Sequence, residues 1–206
     1  MIKRLLPSLS FATVLAVGAI AAPMQFDFKD PKGVNAIQFH LDSLLEPIAG
    51  SASGITGTVS YDPAAPAGTT GKIVVAAPSL IVPNDTMTEH LHSAGWIDAA
   101  KYPEITFEIT GLTNVKTEGN TTSATAAGKF TLKGVTKDIS VPVKLTYLPD
   151  ALEKRTRPGN KGDLLVVRGD FSIDRGDYGI KPGENEDKVS PTVDLSIAIV
   201  GSAPKA

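Results

Sequence analysis

Three histidines, His40, His90 and His92, are the side chains of this chain best suited to bind a metal or move a proton near neutral pH. A zinc site needs three or four ligands that converge. His90 and His92 are two residues apart, and on a helix they point to different sides, so no metal and no cofactor is expected. A second charged group is Asp174-Arg175-Gly176-Asp177. Two readings fit it. Arg175 and Asp177, with His90, line the mouth of a cavity where a polar head group would sit, or Arg175 closes a hairpin through a weak surface ion pair. Asp170 and Asp174 share one strand face, which the surrounding alternation predicts to be wet. The chain has no nucleophile elbow, no Gly-rich phosphate loop and no His-Asp-Ser arrangement. Catalysis, as by an isomerase or cyclase, would need an acid or base inside the fold, and Glu108 or His90 would have to supply it. Arg175-Gly176-Asp177, Asn84-Asp85-Thr86 and Asn120-Thr121-Thr122 match short adhesion or glycosylation patterns that recur by chance.

The elements that must position these residues follow from composition and patterning. The chain has 206 residues, 20 Lys and Arg against 22 Asp and Glu, a net charge of −2 and no cysteine. Without a basic stripe nucleic acid is not an expected partner, and without disulfides burial alone must hold the fold. Lys3 and Arg4 precede an uncharged apolar run from Leu5 to Ile20, and Ala19-Ile20-Ala21 has the small-x-small pattern of a cleavage site. Residues 1–21 therefore read as a cleaved signal peptide and 22–206 as one domain, periplasmic or secreted. The run is too short for a membrane span, so an integral membrane protein is not expected.

Period-two alternation dominates the remainder. It recurs at Phe26–Phe28, Ile37–Leu41, Ile55–Tyr61, Ile73–Val75, Ile105–Ile109, Thr122–Leu132, Ile139–Tyr147, Leu165–Ile173 and Val193–Ile199. This predicts an all-β chain of eight or nine antiparallel strands, with turns at Asp62–Gly71, Glu118-Gly119-Asn120 and Lys133-Gly134. Pro142 removes a backbone donor and predicts an edge or a bulge. Residues 83–93 read as one short helix, with Thr86 and Glu89 spaced as a capping box, Met87 and Leu91 on one face and Gly95 able to end it. The charged loop Pro149–Gly162 is expected to be exposed. A packed sandwich and a closed barrel both solve the edge problem, and periodicity does not choose between them. A homodimer is compatible with either, and no residue names an interface.

Three ordered blocks carry a resemblance. His90–Phe107 contains a His-Leu pair, then Trp96-Ile97-Asp98 and Tyr102-Pro103-Glu104-Ile105-Thr106-Phe107. Gly128–Lys137 and Phe171–Ile180 follow it as Gly-Lys-Phe-Thr-Leu-Lys-Gly-Val-Thr-Lys and Phe-Ser-Ile-Asp-Arg-Gly-Asp-Tyr-Gly-Ile. Together they resemble the YceI-like polyisoprenoid-binding family. Met87 departs from the basic residue that members often carry three positions before the His. The resemblance implies a lipocalin-like antiparallel barrel, a periplasmic location, no catalysis, and an elongated apolar cavity for a polyprenyl or quinone tail. The inward-facing candidates are Phe39, Ile55, Val59, Ile73 and Val75 in the first half of the chain. They continue with Phe107, Ile109, Phe130, Leu132, Val141 and Val143, then Phe171, Ile173, Leu195 and Ile197. Met87, Leu91 and Trp96 would cap one end. Alternation alone reports only burial, so it leaves open whether these side chains border a cavity or fill the barrel, and a filled barrel would make the chain an interaction module that presents loops such as residues 149–162.

Overall fold

Strands that alternate apolar and polar residues bury one face only, and a sheet of them can remove its own edges by curling until they meet. A computed structural model describes residues 22–205 of the chain; the expected leader, residues 1–21, lies outside them. Among the described residues there are eleven strands: β1 (Met24–Asp27), β2 (Ala36–Asp42), β3 (Pro47–Ala52), β4 (Ile55–Tyr61), β5 (Thr70–Ala76), β6 (Leu80–Ile81), β7 (Glu104–Glu118), β8 (Thr121–Leu132), β9 (Val135–Leu148), β10 (Gly162–Asp174) and β11 (Thr192–Pro204). Helices α1 (Asp85–His92) and α2 (Leu152–Arg155) are short. Eight strands, in the order β1-β4-β5-β7-β8-β9-β10-β11, form an antiparallel barrel that closes where Asp27 of β1 meets Ser202 of β11. Closure, not a sandwich, is thus the solution adopted. The other half of β11 pairs with β2, which leads to β3 and β6.

The exchange of partners along β11 leaves Val200 between β1 and β2, and Asn35 repairs the gap. Its Nδ2 donates to the carbonyls of Phe28 and Val200, each at 3.1 Å, and its Oδ1 accepts the Val200 N–H at 2.9 Å. The Arg155 guanidinium donates to the same Oδ1 at 3.1 Å and pairs with Asp30 at 3.0 Å. Burial raises the affinity of Asp30 for a proton, but the N–H groups of Asn35, Lys32 and Val34 and the Arg155 charge outweigh it and hold its pKa below the ordinary value. The loop expected to be exposed is therefore partly structural. It forms α2, buries Ala151 and Leu152, and turns Arg155 inward.

Turn chemistry follows the expectations closely at one hairpin. Lys133 and Gly134 both have positive φ, 50° and 76°, as a two-residue connection matching strand twist requires. A Cβ on Gly134 would lie 2.5 Å from the Tyr102 ring. Pro142 marks a true edge: the β9–β10 ladder ends at Val143 opposite Gly169, one residue from it. Helix α1 begins two residues earlier than a Thr86 cap would allow. Asn84 is the cap, its Oδ1 accepting the Met87 N–H at 2.9 Å, and the helix ends at Ser93 rather than at Gly95.

One end of the barrel is stoppered. Phe26, Tyr61 and Tyr147 lie 6.3–6.4 Å apart between ring centroids, an aromatic trio of two buried rings and the half-buried Tyr147. The Tyr61 hydroxyl meets Thr122 Oγ1 at 3.1 Å. The Tyr147 hydroxyl donates to Asp163 at 2.8 Å. Asp163, 1% exposed, also accepts from the Asp150 N–H at 2.9 Å and pairs with Lys205 at 2.7 Å, which fastens the C-terminal strand. Burial and the adjacent Asp163 push the Tyr147 phenol up to about 12. Burial opposes ionisation of Asp163, yet the bonds from Lys205, the Asp150 N–H and Tyr147 hold its carboxyl below the usual range.

Candidate functional site

The opposite end carries α1, the segment around Trp96 and the 3-10 turn Gly176–Tyr178, and a lumen runs from there along the barrel axis to Phe28 and Thr69. Its volume is about 190 Å³; a water molecule needs roughly 10–15 Å³. Every lining residue except Thr69, Thr106 and Arg175 is apolar or aromatic. Phe107, Ile109, Val143, Val167 and Ile197 point inward yet stay only partly buried, because they border space rather than another side chain.

The space has a local cause. The inward positions of β8 are Ala124, Ala126 and Gly128 before Phe130 and Leu132. Ala126 lies between Leu112 of β7 and Val141 of β9 and lines the lumen. At Gly128 an added Cβ would fall 2.3 Å from the Glu108 carbonyl and 2.8 Å from the Phe107 ring, so only glycine lets that ring approach the strand so closely. A barrel of eight strands has room for its own side chains or a small ligand, and small residues along one wall leave the room unfilled.

Most of the residues expected to face inward meet at this lumen. Phe39, Val59, Ile73, Val75, Phe107 and Ile109 line it, as do Phe130, Leu132, Val141 and Val143. So do Phe171, Ile173, Leu195 and Ile197, with Leu91 and Trp96 at the α1 end. Ile55 does not: it is buried in the wall core, opposite Val75. Met87 is half-buried on α1 outside the lining, so its spacing from Leu91 does not bring it to the lumen. Among the lining residues not anticipated, Leu145, Val167 and Ile199 simply extend alternations visible in β9, β10 and β11. Leu112 was hidden by a β-bulge between Ile109 and Gly111, which changes the inward parity of β7. Ile97 and Ile180 come from connections, where no periodicity exists.

Of the charged candidates, Arg175 borders the lumen, but its donors are taken up by backbone rather than by a surface ion pair. Arg175 is 2% exposed and pairs with no carboxylate among the described residues. Its guanidinium donates to five backbone carbonyls: Ser190 (3.0 Å), Ile180 (2.8 Å), Glu184 (2.6 Å), Val189 (3.0 Å) and Lys181. All five N–H donors of an arginine are thereby engaged, and its planar fork ties the 176–191 connection into one piece. Trp96 lies beside it, with Arg175 Cζ 5.8 Å and Lys181 Nζ 5.4 Å from the ring centroid. Asp177 is exposed and pairs with Lys137 at 2.7 Å. His90 is exposed, and the bond that pins α1 belongs to His92, whose Nε2 donates to the Leu80 carbonyl at 2.7 Å. His40, Glu108, Asp170 and Asp174 are exposed on the outer face. No carboxylate or histidine borders the lumen among the described residues. Nor does any group of three His, Asp or Glu there suit a metal ion, and no helix among the described residues is long and apolar enough to cross a membrane.

The fold recurs in known proteins. The YceI-like domain family matches residues 30–201. The chain is similar to Protein YceI of Escherichia coli O6:H1, 32% identical over 148 residues covering 69% of this chain and 73% of that protein. It is also similar to a UPF0312 protein of Pectobacterium atrosepticum, 30% identical over 147 residues covering 70% and 73%. In fold it is similar to Burkholderia cenocepacia BcnA, with a TM-score of 0.65 and 20% identity over 81% of this chain and 95% of that one. A polyisoprenoid binding domain from Saccharophagus degradans, implicated in plant cell wall breakdown, gives a TM-score of 0.64 at 13% identity, covering 88% and 99%. An antiparallel barrel around an apolar lumen, the three ordered sequence blocks and a match across most of the described residues together show that this chain belongs to the YceI-like family.

Proposed function

We propose that this protein is a carrier for an apolar, isoprenoid-like lipid, a polyprenyl or quinone tail, held in the barrel without catalysis. The observation that carries this reading is the lumen wall, apolar but for two threonines and an arginine whose donors are already engaged. A buried charge on a ligand would find no free charged partner there and would lose its hydration without compensation. Hydrocarbon gains about 0.8 kcal/mol per buried CH₂. One isoprene unit of five carbons is thus worth up to about 4 kcal/mol, less the cost of ordering the chain. The Saccharophagus domain with the same fold is described by its polyisoprenoid binding, which supports the ligand class. The leader-like residues 1–21 support export to the periplasm or beyond, with a mature chain beginning at Ala22; the N-terminal sequence of natively exported protein tests that.

The deciding experiment is organic extraction of natively expressed protein followed by mass spectrometry, with uptake of added prenyl alcohols in parallel. Co-purifying prenyl or quinone lipid is expected. Protein that yields no lipid and takes up no prenyl chain would end the proposal.

A further inference from the structure

Two leucines stand in water where a turn residue is expected. The β2–β3 connection reads Ser43-Leu44-Leu45-Glu46, and Leu44 is 87% and Leu45 59% exposed. Short connections ordinarily carry Gly, Asn, Asp or Ser. The tip is also braced. The Leu45 N–H donates to the Asp187 carbonyl at 3.1 Å, and Ser43 Oγ lies 2.6 Å from the carbonyls of both Glu46 and Lys188. The leucines are therefore held outward on a fixed knob. That knob ends the strand that delivers Phe39 and Leu41 to the lumen, and it stands at the α1 end, where Leu41, Leu91 and Trp96 are lining residues left half-buried.

We infer that the Leu44–Leu45 knob inserts into the surface of a zwitterionic lipid bilayer and sets the α1 end of the lumen against the membrane. The inference rests on the carrier reading above, since an isoprenoid chain resides in bilayers and must pass between one and the lumen. Size favours this occupant over a second protein copy. Two leucines offer on the order of 200–300 Å² of apolar surface, far below the roughly 1,000 Å² a specific protein interface needs. Interfacial insertion has no such threshold. Charge decides which bilayer: Asp42 and Glu46 flank the tip in sequence, and Glu186, Asp187 and Lys188 lie on the segment hydrogen-bonded to it, so an anionic surface repels it.

The test is flotation of the exported protein with phosphatidylcholine vesicles, comparing wild type with L44S/L45S. In parallel, farnesol binding is measured in vesicle-free buffer. Wild type is expected to float, the double variant to bind vesicles at least tenfold more weakly, and both to bind farnesol alike. Added phosphatidylglycerol is expected to weaken wild-type flotation at low salt. In L45W the new indole is expected to shift its emission to the blue when vesicles are added. Failure of wild type to float, equal flotation of the double variant, or a halved solution mass in L44S/L45S, which would assign the tip to a dimer, each overturns the inference. Leucine-dependent flotation without farnesol uptake keeps the docking surface and refutes the carrier reading instead.

Discussion

Ala126→Leu tests whether the lumen is truly vacant. The Ala126 side chain is buried, 3% exposed, and lines the cavity between Leu112 and Val141. Leucine adds three carbons. If they enter empty space, they bury about 2.4 kcal/mol of new apolar contact at 0.8 kcal/mol per carbon, an upper bound, and the ligand-free protein is stabilised or unchanged. If the barrel is filled, the same carbons overpack it and cost about 1–3 kcal/mol. For a domain of this size 1 kcal/mol moves Tm by roughly 2–4 °C, so the two cases differ in sign and are separable by thermal unfolding. The added side chain also displaces just over half an isoprene unit. A prenyl chain that fills the wild-type lumen should then bind up to roughly fiftyfold more weakly, and the preferred chain length should shorten, read from a series of prenyl alcohols by isothermal titration. A destabilised Ala126→Leu that binds the whole series like wild type would refute the reasoning.

The remaining predictions concern the parts that hold the lumen in place. Arg175→Met leaves five backbone carbonyls without their donor and is expected to cost at least about 3 kcal/mol in urea unfolding. It should also open 176–191 to limited proteolysis, which Arg175→Lys only partly restores because an ammonium cannot fill a five-donor fork. Asn84→Ala is expected to cost about 1 kcal/mol, whereas Thr86→Ala, at a helix position, costs little; thermal unfolding distinguishes the two. Because the folded Asp163 carboxyl sits below its unfolded value near 4, its contribution is full above that value and is lost as pH falls through the lower folded one; Asp163→Asn should flatten the stability profile there. Tyr147 shows the opposite sign. Its phenol is raised to about 12, so stability is full below pH 10 and is lost between about 10 and 12, a loss that Tyr147→Phe should abolish.

Alternation determined the inward face of nearly every strand, and with it most of the lumen wall from Phe39 to Ile197. The three sequence blocks identified the family, and Lys133-Gly134 and Pro142 placed a turn and an edge. These are local properties, since a side chain's face follows from parity along its own strand. Sequence alone did not determine whether the apolar faces meet or stand apart. Vacancy is what remains after the volumes of eight strands are set against the barrel's diameter, and Ala124, Ala126 and Gly128 matter only because Phe107, Leu112 and Val141 are their neighbours. Long-range closure likewise decided the fate of Arg175. Its sequence neighbours leave it either at a cavity mouth or in a surface ion pair, yet the chain returning at Ser190 and Val189 surrounds it with carbonyls, and a guanidinium can be buried only where such acceptors replace water.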